Sequence, residues 1–318
     1  YIRDTKDMLT AGIALPATYG ADSPKMNSAD LRTKGYELSL NWRDEFQLLR
    51  RPFSYSVTLT FNDYVSNITK FDNPDRSFAK KYYEGMRWGE IWGYRIDGLF
   101  ASDEEARNYP VDQTTVNEII NASAGAEKGL RAGDLKFRDV TGDGKITEAD
   151  RTMIGNPTPD FTYGYSVNLQ YKNFDLGIDF QGVYGNEIFN TSFLSAYAQY
   201  NYHTKRLGRW NGEGTSNWEP ILDSSRATQM MNSSYFIEDG SYLRLKNIQL
   251  GYSFGDRILK KIRLKALRVF MNIDNLATWS HNTGYTPEIG GTALAFGIDT
   301  GDTYPMPTTI TFGVNVSF

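Results

Sequence analysis

Apolar and polar residues alternate strictly along several stretches of this chain. In residues 53–62 every second position is Phe, Tyr, Val or Leu, and Ser, Thr and Asn stand between them. Residues 161–171 and 309–318 repeat this pattern. Successive side chains of a β-strand point to opposite faces, so each stretch predicts a strand with one apolar and one polar face.

Further stretches follow the same period of two, namely residues 36–43, 174–181, 242–254 and 267–273. The alternation in 242–254 changes phase near Lys246–Asn247, as a β-bulge would require. The chain is therefore predicted to be all-β, with antiparallel strands joined by turns and loops.

The residues on the two faces discriminate between a soluble and a membrane protein. The polar faces of the clearest strands consist of Ser, Thr, Asn, Gln and Gly, whereas solvated faces of soluble sheets usually carry mixed charge. The strands also begin and end on aromatic residues, such as Phe53 and Phe61 or Phe161 and Tyr171, as expected at membrane interfaces. These features favour a transmembrane β-barrel, and a soluble β-sandwich is the alternative.

Short and long connections alternate between the predicted strands. Lys172–Asn173 is a tight turn and Gly255–Lys265 is modest in length, whereas Asn186–Ser241 and Ala277–Pro307 are long. Outer-membrane barrels show this alternation, with short periplasmic turns and long extracellular loops. A periplasmic turn over Asp44–Pro52 would fit the same scheme.

The strand count predicts part of a larger barrel. Between residues 63 and 160 a single strand candidate is visible, near Trp88–Phe100, so this segment contains either a second, hidden crossing or an excursion within the extracellular loops. About eight strands with such long loops cannot close a porin-sized barrel by themselves. We therefore expect residues 1–318 to be the C-terminal strands and loops of a large transmembrane β-barrel, without its first strands.

The composition excludes several classes of function. The 318 residues include no Cys and two His, and the formal net charge is −4. A disulfide scaffold, an iron–sulfur site and His-rich metal chemistry are therefore excluded, and so is nucleic-acid binding, which needs a clustered basic surface. The sequence has no G-x-S-x-G motif and no carboxylate pair with the spacing of a glycosidase, so we expect no enzymatic activity.

Several motifs carry a resemblance to a known family. Residues 133–147 read GDLKFRDVTGDGKIT, and residues 154–164 read IGNPTPDFTYG. Further motifs are GYRIDGLF at 93–100, YLRLKN at 242–247 and NIDNLATW at 272–279. In this order, and across nearly the whole chain, they resemble the SusC-like TonB-dependent transporters.

The resemblance implies a nutrient importer in the outer membrane of a Bacteroidetes-type bacterium. In this family an N-terminal plug domain fills a large barrel, a SusD-like surface lipoprotein caps its mouth, and TonB supplies energy through the N-terminal region. The plug domain and the TonB-binding segment would lie outside residues 1–318. Oligosaccharides or peptides are the expected substrates, and outer-membrane lipid and the barrel-assembly machinery are further expected partners. From another class, the alternative function is a soluble secreted Ca-binding β-protein that binds glycans.

The segment 139–150 approximates a calcium-binding loop. Side chains of Asp139, Thr141, Asp143 and Asp150, with the carbonyl of Lys145, fall at the positions that supply oxygen ligands to Ca²⁺ in such loops. Thr141 replaces the usual Asp or Asn, and Asp150 is one methylene shorter than the usual Glu. We predict a structural Ca²⁺ site, and the alternative is a turn whose carboxylates cap backbone N–H groups.

The terminal residue, Phe318, closes an alternating strand. A terminal aromatic residue of this kind resembles the signal that the barrel-assembly machinery reads. We predict this role for Phe318, and the alternative is an ordinary lipid-facing aromatic residue at the membrane interface.

The remaining candidate residues receive structural interpretations. Glu187, Glu219 and Glu288 are predicted to be solvated acids in loops. The basic segment 260–265 is likewise predicted to be a solvated periplasmic turn. Aromatic residues crowd one extracellular stretch, where they could line a substrate cavity. We expect them rather to pack the loop against itself or against a lipoprotein partner. These residues are Tyr184, Phe189, Phe193, Tyr197, Tyr200, Tyr202, Trp210 and Trp218.

Overall fold

The computed structural model describes residues 1–11, 20, 24–76, 82–113, 130–192, 204–222, 232–290 and 295–318. Its strands are β1 (Ile2–Ala11), β2 (Lys25–Leu48), β3 (Arg51–Lys70), β4 (Ile91–Gly93), β5 (Ile96–Leu99), β6 (Leu135–Phe137), β7 (Thr152–Gly155), β8 (Phe161–Tyr171), β9 (Phe174–Tyr184), β10 (Glu187–Asn190), β11 (Ile237–Asp239), β12 (Tyr242–Ser253), β13 (Ala266–Ser280), β14 (Ile298–Asp299) and β15 (Thr309–Ser317). The helices in this part of the chain are α1 (Asp103–Asn108), α2 (Asp256–Ile262) and the 3-10 helices Glu148–Asp150, Thr204–Gly208 and Ser234–Phe236. Among the described residues, no helix is both long enough and apolar enough to cross a membrane.

One large antiparallel sheet dominates the structure. Its eight strands follow the order β1-β2-β3-β8-β9-β12-β13-β15. Strand β3 pairs directly with β8, with Phe53 opposite Tyr171. The described residues between β3 and β8 therefore contribute no further strand to this sheet. Of the two interpretations of this segment, the excursion is confirmed, and it carries the small sheets β4–β7 and β5–β6.

The connections of the large sheet differ in length between its two ends. At one end, residues 49–50, 172–173 and 254–265 join neighbouring strands. At the other end, four connections run over residues 12–24, 71–160, 185–241 and 281–308, and the last three are much longer. We call these the short-connection end and the long-connection end. The predicted alternation of short and long connections is thus confirmed within the sheet.

The turn predicted over Asp44–Pro52 is wrong in its extent. Strand β2 continues to Leu48, and β3 begins at Arg51. Both intervening residues adopt positive φ, 50° at Leu49 and 61° at Arg50. A two-residue hairpin turn of type I′ needs this conformation. In the extended part of the two strands, Phe46 and Phe53 are directly paired and their ring centroids lie 5.2 Å apart.

One face of the large sheet is apolar and exposed. Leu40 and Trp42 on β2 are 54% and 64% exposed, and Phe312 and Val314 on β15 are 77% and 62% exposed. In a soluble sandwich this face would be covered by a second sheet, and no such sheet covers it in the described part of the chain. We call it the apolar face, and the opposite side the polar face.

Aromatic residues form a band on the apolar face at the short-connection end. The Phe53 ring lies 5.2 Å from that of Phe46 and 6.2 Å from that of Tyr171, measured between centroids. Farther along the sheet, the rings of Phe174 and Tyr252 are 4.8 Å apart. Aromatic side chains of this kind prefer the interface between water and hydrocarbon.

A second aromatic band lies toward the long-connection end. The Phe61 ring lies 6.0 Å from Tyr36 and 4.8 Å from Phe161, whose ring is also 5.1 Å from that of Tyr184. Phe161 and Tyr171 are the two ends of β8, which has 11 residues. At ~3.4 Å per residue and a tilt of ~40°, they are separated by ~26 Å along the membrane normal. This distance matches the apolar band of outer-membrane barrels, which is ~25 Å tall.

The main hydrophobic core lies among the long connections. Tyr94, Phe137 and Ile146 from the connection between β3 and β8 cluster with Phe189 and Phe236 from the connection between β9 and β12. Ile298 of β14 packs against this cluster, and β14 pairs with β10. Three long connections therefore fold into one assembly, which we call the loop core.

Candidate functional site

The polar face of the large sheet lines an open cavity near the long-connection end. Its volume is about 520 Å³. Thr162 Oγ1 donates a hydrogen bond to Asn62 Oδ1 at 2.7 Å across one side of the cavity, and Lys246 Nζ donates to Gln181 Oε1 at 2.8 Å on the other. The cavity therefore presents neutral hydrogen-bonding groups, one cation and one carboxylate to any molecule that enters it. Its polar lining consists of Thr60, Asn62, Thr162, Ser166, Asp179, Gln181 and Lys246.

The predicted β-bulge in β12 positions Lys246 and is confirmed. Both ladders of β12 shift register between Leu245 and Asn247. Leu245 pairs with Phe180 on the apolar face, and Asn247 pairs with Asp179 on the polar face. Lys246 is the extra residue, and it extends into the cavity.

Side-chain networks continue along the polar face of β12 and β13. Asn247 Nδ2 donates to Asn272 Oδ1 and to Asp274 Oδ1, at 2.7 Å in each case. Asn272 Nδ2 in turn donates to Asp274 Oδ2 at 2.8 Å. A closed set of hydrogen bonds thus fixes these side chains, which belong in part to the NIDNLATW motif.

An ion pair crosses three strands nearer the short-connection end. Arg268 Nε donates to Asp175 Oδ1 at 3.1 Å, and its Nη2 donates to Gln249 Oε1 at 3.2 Å. The pair passes directly over Gly251, where a Cβ would overlap both the Arg268 and the Asp175 side chains. Glycine at this position therefore leaves room for the ion pair on the polar face.

The loop that follows β13 is tied to the start of β12 by a buried arginine. Arg244 is 3% exposed, and its Nη1 contacts Glu288 Oε2 at 2.8 Å. Its Nε donates to Thr278 Oγ1 at 2.9 Å, and the Tyr242 hydroxyl donates to Glu288 Oε1 at 2.9 Å. The prediction that Glu288 is a solvated acid is therefore wrong, because this carboxylate joins two elements.

A second buried ion pair fixes the connection between β9 and β12. Arg206 and Glu219 are each 5% exposed, and Arg206 Nη1 donates to Glu219 Oε1. Tyr235 Oη accepts from Arg206 Nη1 at 3.0 Å and donates to Glu219 Oε2 at 2.8 Å. Glu219 was also predicted to be solvated, and the structure corrects this. The partner that the sequence analysis did not find is an arginine 13 residues upstream of Glu219. This spacing fits neither a helix nor a strand period, so only the tertiary fold brings the two side chains together.

The third predicted solvated acid, Glu187, is half-buried. Its Oε2 accepts from the backbone N–H of Asn156 at 2.7 Å, and its own N–H donates to the Asn156 carbonyl at 2.9 Å. Glu187 therefore fastens β10 to the chain just before β8, and the prediction is wrong for this residue as well.

The segment 139–150 folds into a compact loop in which carboxylates accept backbone hydrogen bonds. Asp139 Oδ1 accepts from Gly142 N at 2.6 Å, and Asp139 Oδ2 accepts from Gly144 N at 2.7 Å. Asp143 Oδ1 accepts from Lys145 N at 2.9 Å. Across the described ranges, no group of three or more His, Cys, Asp and Glu residues is arranged to hold a metal ion.

Asp150 is the centre of this loop and is fully buried. Its Oδ1 accepts from the N–H groups of Val140 and Thr141, each at 3.0 Å, and its Oδ2 accepts from Thr147 N at 2.7 Å. Burial opposes ionisation, but the hydrogen bonds outweigh it and hold the pKa of Asp150 below its ordinary value of 3.8. The ionised carboxylate therefore stabilises the loop at neutral pH, and this contribution is lost as the pH falls through the lowered pKa.

The geometry favours the capping interpretation, and Ca²⁺ binding stays a prediction that one pair of variants can decide. Asp150→Asn should destabilise the loop with or without Ca²⁺, because a buried N–H left unpaired costs ~1–3 kcal/mol. Asp143→Asn should have little effect when the metal is absent. We would measure hydrogen exchange of residues 139–150 in the full-length receptor, in Ca²⁺ and in EDTA. Protection that depends on Ca²⁺ and is lost in both variants would instead support a metal site.

The crowded loop aromatics are divided between packing and exposure. Phe189 lies in the loop core and Trp210 packs against it, so the packing interpretation is confirmed for these two residues. Tyr184 ends β9 in an aromatic band and is 54% exposed. Trp218 is 46% exposed, with its ring 6.1 Å from that of Tyr235. Phe193, Tyr197, Tyr200 and Tyr202 lie outside the described residues.

Phe318 directly follows β15 at the short-connection end. It is 81% exposed and continues the alternation of Phe312, Val314 and Val316 on the apolar face. This placement fits a lipid-facing aromatic residue, and the role of Phe318 as an assembly signal stays a prediction.

The fold and both faces together define a class of protein. An antiparallel meander with an exposed apolar face, two aromatic bands and a polar inner face is part of a transmembrane β-barrel. No family model matches the sequence. TonB-dependent receptor P3 of Formosa agariphila is 31% identical over 340 residues, which span the whole chain and 32% of that relative. TonB-dependent receptor SusC of Bacteroides thetaiotaomicron is 26% identical over 325 residues, which span the whole chain and 29% of SusC.

Solved structures give the same assignment of fold. The RagAB peptide importer in its 'open-open' state matches with a TM-score of 0.70 at 18% identity, over the whole chain and 32% of that protein. Its 'closed-closed' state matches with a TM-score of 0.70 at 20% identity. Over its whole length the chain is therefore similar to SusC-like TonB-dependent receptors, and its fold is that of part of their outer-membrane β-barrel. It spans about a third of the length of the relatives it matches. These relatives are receptors and transporters by name, in agreement with the expectation of no enzymatic activity.

Proposed function

We propose that this chain forms the wall and the outer loops of an importer that moves a nutrient across the outer membrane. The observation that carries the proposal is the polar face with its open cavity, near the end of the sheet from which the connections of the loop core arise. A molecule that passes the loops would meet this wall, while the apolar face holds the barrel in lipid. TonB would supply the energy through a region outside this chain.

The chemistry of the wall suits a polar, oligomeric substrate. The cavity offers hydroxyl and amide groups together with Lys246 and Asp179. Oligosaccharides and peptides both carry many hydrogen-bonding groups and fit such a surface. RagAB is named a peptide importer. We propose that this receptor takes up oligosaccharides or peptides together with a SusD-like lipoprotein.

Uptake by the full-length receptor tests the proposal. Deleting its gene should abolish growth on defined oligosaccharide or peptide mixtures as sole nutrient, and the complete gene should restore it. Lys246→Ala should raise the substrate concentration for half-maximal uptake about two- to tenfold, the net worth of one hydrogen bond. Lys70→Ala, at the exposed end of β3, is the matched control and should behave as wild type.

Two outcomes would contradict this function. Unchanged growth of the deletion strain on every mixture would show that the receptor imports none of them. Uptake that survives removal of the TonB-binding region would show that TonB does not drive it. The partner proposal further requires a surface lipoprotein to copurify with the receptor in equimolar amount.

A further inference from the structure

Helix α2, in the connection between β12 and β13, has an unusual surface for a solvated turn. It packs through Leu259, which is 7% exposed. Ile258 and Ile262 are 44% and 46% exposed. These two residues are four positions apart and therefore lie on one face of the helix. In a solvated turn, two adjacent exposed isoleucines would place apolar surface in water without any compensating contact.

Cations surround this apolar pair. Five basic residues lie within residues 257–265, and all of them are exposed. No described carboxylate forms a salt bridge with any of them. Asp256 is the single acid of this connection. The basic residues are Arg257, Lys260, Lys261, Arg263 and Lys265.

The helix adjoins the lipid-facing surface and is held there. Phe254 precedes it, and its ring lies 5.1 Å from that of Tyr252 in the aromatic band. The Phe254 N–H donates to the Leu267 carbonyl at 2.9 Å, and the Lys265 N–H donates to the Ser317 carbonyl at 2.8 Å. Both ends of the connection are thus fixed to the sheet, beside the band that meets the membrane interface.

The other short connections have the same charge. Residues 49–50, 172–173 and 254–265 together contain seven Lys and Arg and one Asp, although the whole chain has a net charge of −4. Lys172 Nζ lies 5.1 Å from the centre of the Tyr171 ring in the same aromatic band. Positive charge is therefore concentrated just beyond the apolar face at this end of the sheet.

We propose that α2 is a binding site for anionic phospholipid in the periplasmic leaflet of the outer membrane. Ile258 and Ile262 enter the boundary between headgroups and acyl chains, and the surrounding cations pair with lipid phosphates. The lysine stems add apolar contact while their ammonium groups stay at headgroup level. The assignment of leaflet follows from the short-connection end, which faces the periplasm in outer-membrane barrels. This site would anchor the periplasmic rim and is independent of which nutrient is imported.

A fluorescent probe on α2 tests the proposal in the full-length receptor. This chain contains no Cys, so Ile258→Cys provides a single labelling site once any cysteines elsewhere are replaced. An environment-sensitive dye at this position should shift its emission to the blue in bilayers with phosphatidylglycerol, relative to pure phosphatidylcholine. Nitroxide-labelled lipids should quench it correspondingly more in the anionic bilayer.

Charge-matched variants and a label-free measurement complete the test. Lys260→Gln/Lys261→Gln/Lys265→Gln should remove the lipid-dependent shift and lower the phosphatidylglycerol retained in native mass spectrometry about tenfold. Lys25→Gln/Lys70→Gln/Lys145→Gln removes the same charge at the long-connection end and should retain wild-type lipid. A probe that is equally water-exposed in both bilayers would overturn the site. Equal burial in both bilayers would overturn its preference for anionic lipid.

Discussion

Val167→Arg should strongly reduce the folded fraction of the full-length receptor, whereas Asn168→Arg, one residue further along β8, should be tolerated. Val167 lies between the two aromatic bands and pairs with Val57 on β3 and Ile178 on β9. Its side chain is therefore near the middle of the apolar face. Arginine near the bilayer midplane of an outer-membrane barrel costs ~2–4 kcal/mol.

Asn168 provides a matched control because it carries the same new charge on the same strand. Its side chain points to the polar face, beside Ser56 and Gly177. There water, rather than hydrocarbon, surrounds the guanidinium group. The difference between the two variants therefore reports the facing of β8 and not a general sensitivity of the strand to charge.

Two measurements would establish this difference. The heat-modifiable fraction in outer-membrane preparations gives the assembled amount, and urea unfolding in lipid bilayers gives the change in free energy. Equal loss in both variants would contradict the assignment of the two faces. Loss at Asn168 alone would reverse it.

Several strands of the membrane region could be predicted closely from the sequence, although β1 was not predicted and 267–273 covers only part of β13. The predicted strand 161–171 has the same bounds as β8, and the predicted stretch 309–318 differs from β15 by its last residue. Lipid on one side and a wet interior on the other impose a period of two on every residue between the aromatic bands. The bulge at Lys246 was equally visible, since an extra residue must shift the phase of that period.

Beyond the aromatic bands, the same reasoning fails for a physical reason. Alternation predicts residues 36–43 as a strand, but β2 extends over Lys25–Leu48. Toward its N-terminal end, β2 runs past the second aromatic band, where lipid no longer requires an apolar face. There the strand is defined by its ladder with β1, in pairs such as Arg32 with Asp4. Backbone pairing with a neighbouring strand does not require alternating apolar and polar residues, so this part of β2 could not be predicted from the pattern.

The loop core and its ion pairs could not be predicted, because their partners come from distant parts of the chain. Phe137 and Phe236 come from different connections of the sheet, yet they share one core. The calcium-like loop shows another limit. Its residues were found by their spacing, but the same carboxylates can bind a cation or cap N–H groups, and spacing does not separate these uses.

Arg206→Met should loosen the loop core far more than the loss of an exposed ion pair would. Removing one partner of a buried ion pair leaves the other charge unpaired in a poorly solvated site, which costs ~3–5 kcal/mol. Here the stranded group would be Glu219, with the Tyr235 hydroxyl as its remaining hydrogen-bond donor. We expect residues 204–222 to lose hydrogen-exchange protection in the full-length receptor while the strands of the sheet stay protected.

Matched variants separate the charge effect from a packing effect. Arg138→Met removes an arginine whose side chain is 52% exposed beside Asp97, and it should leave exchange nearly unchanged. Arg206→Met/Glu219→Leu/Tyr235→Phe removes every charged and hydroxyl group of the triad and should recover much of the protection, since apolar replacement of a buried pair is often neutral. If the triple variant were as exposed as Arg206→Met, specific hydrogen bonding, and not the stranded charge, would be what holds the loop core together. If Arg206→Met alone changed nothing, the ion pair would have no part in fixing the loops above the cavity.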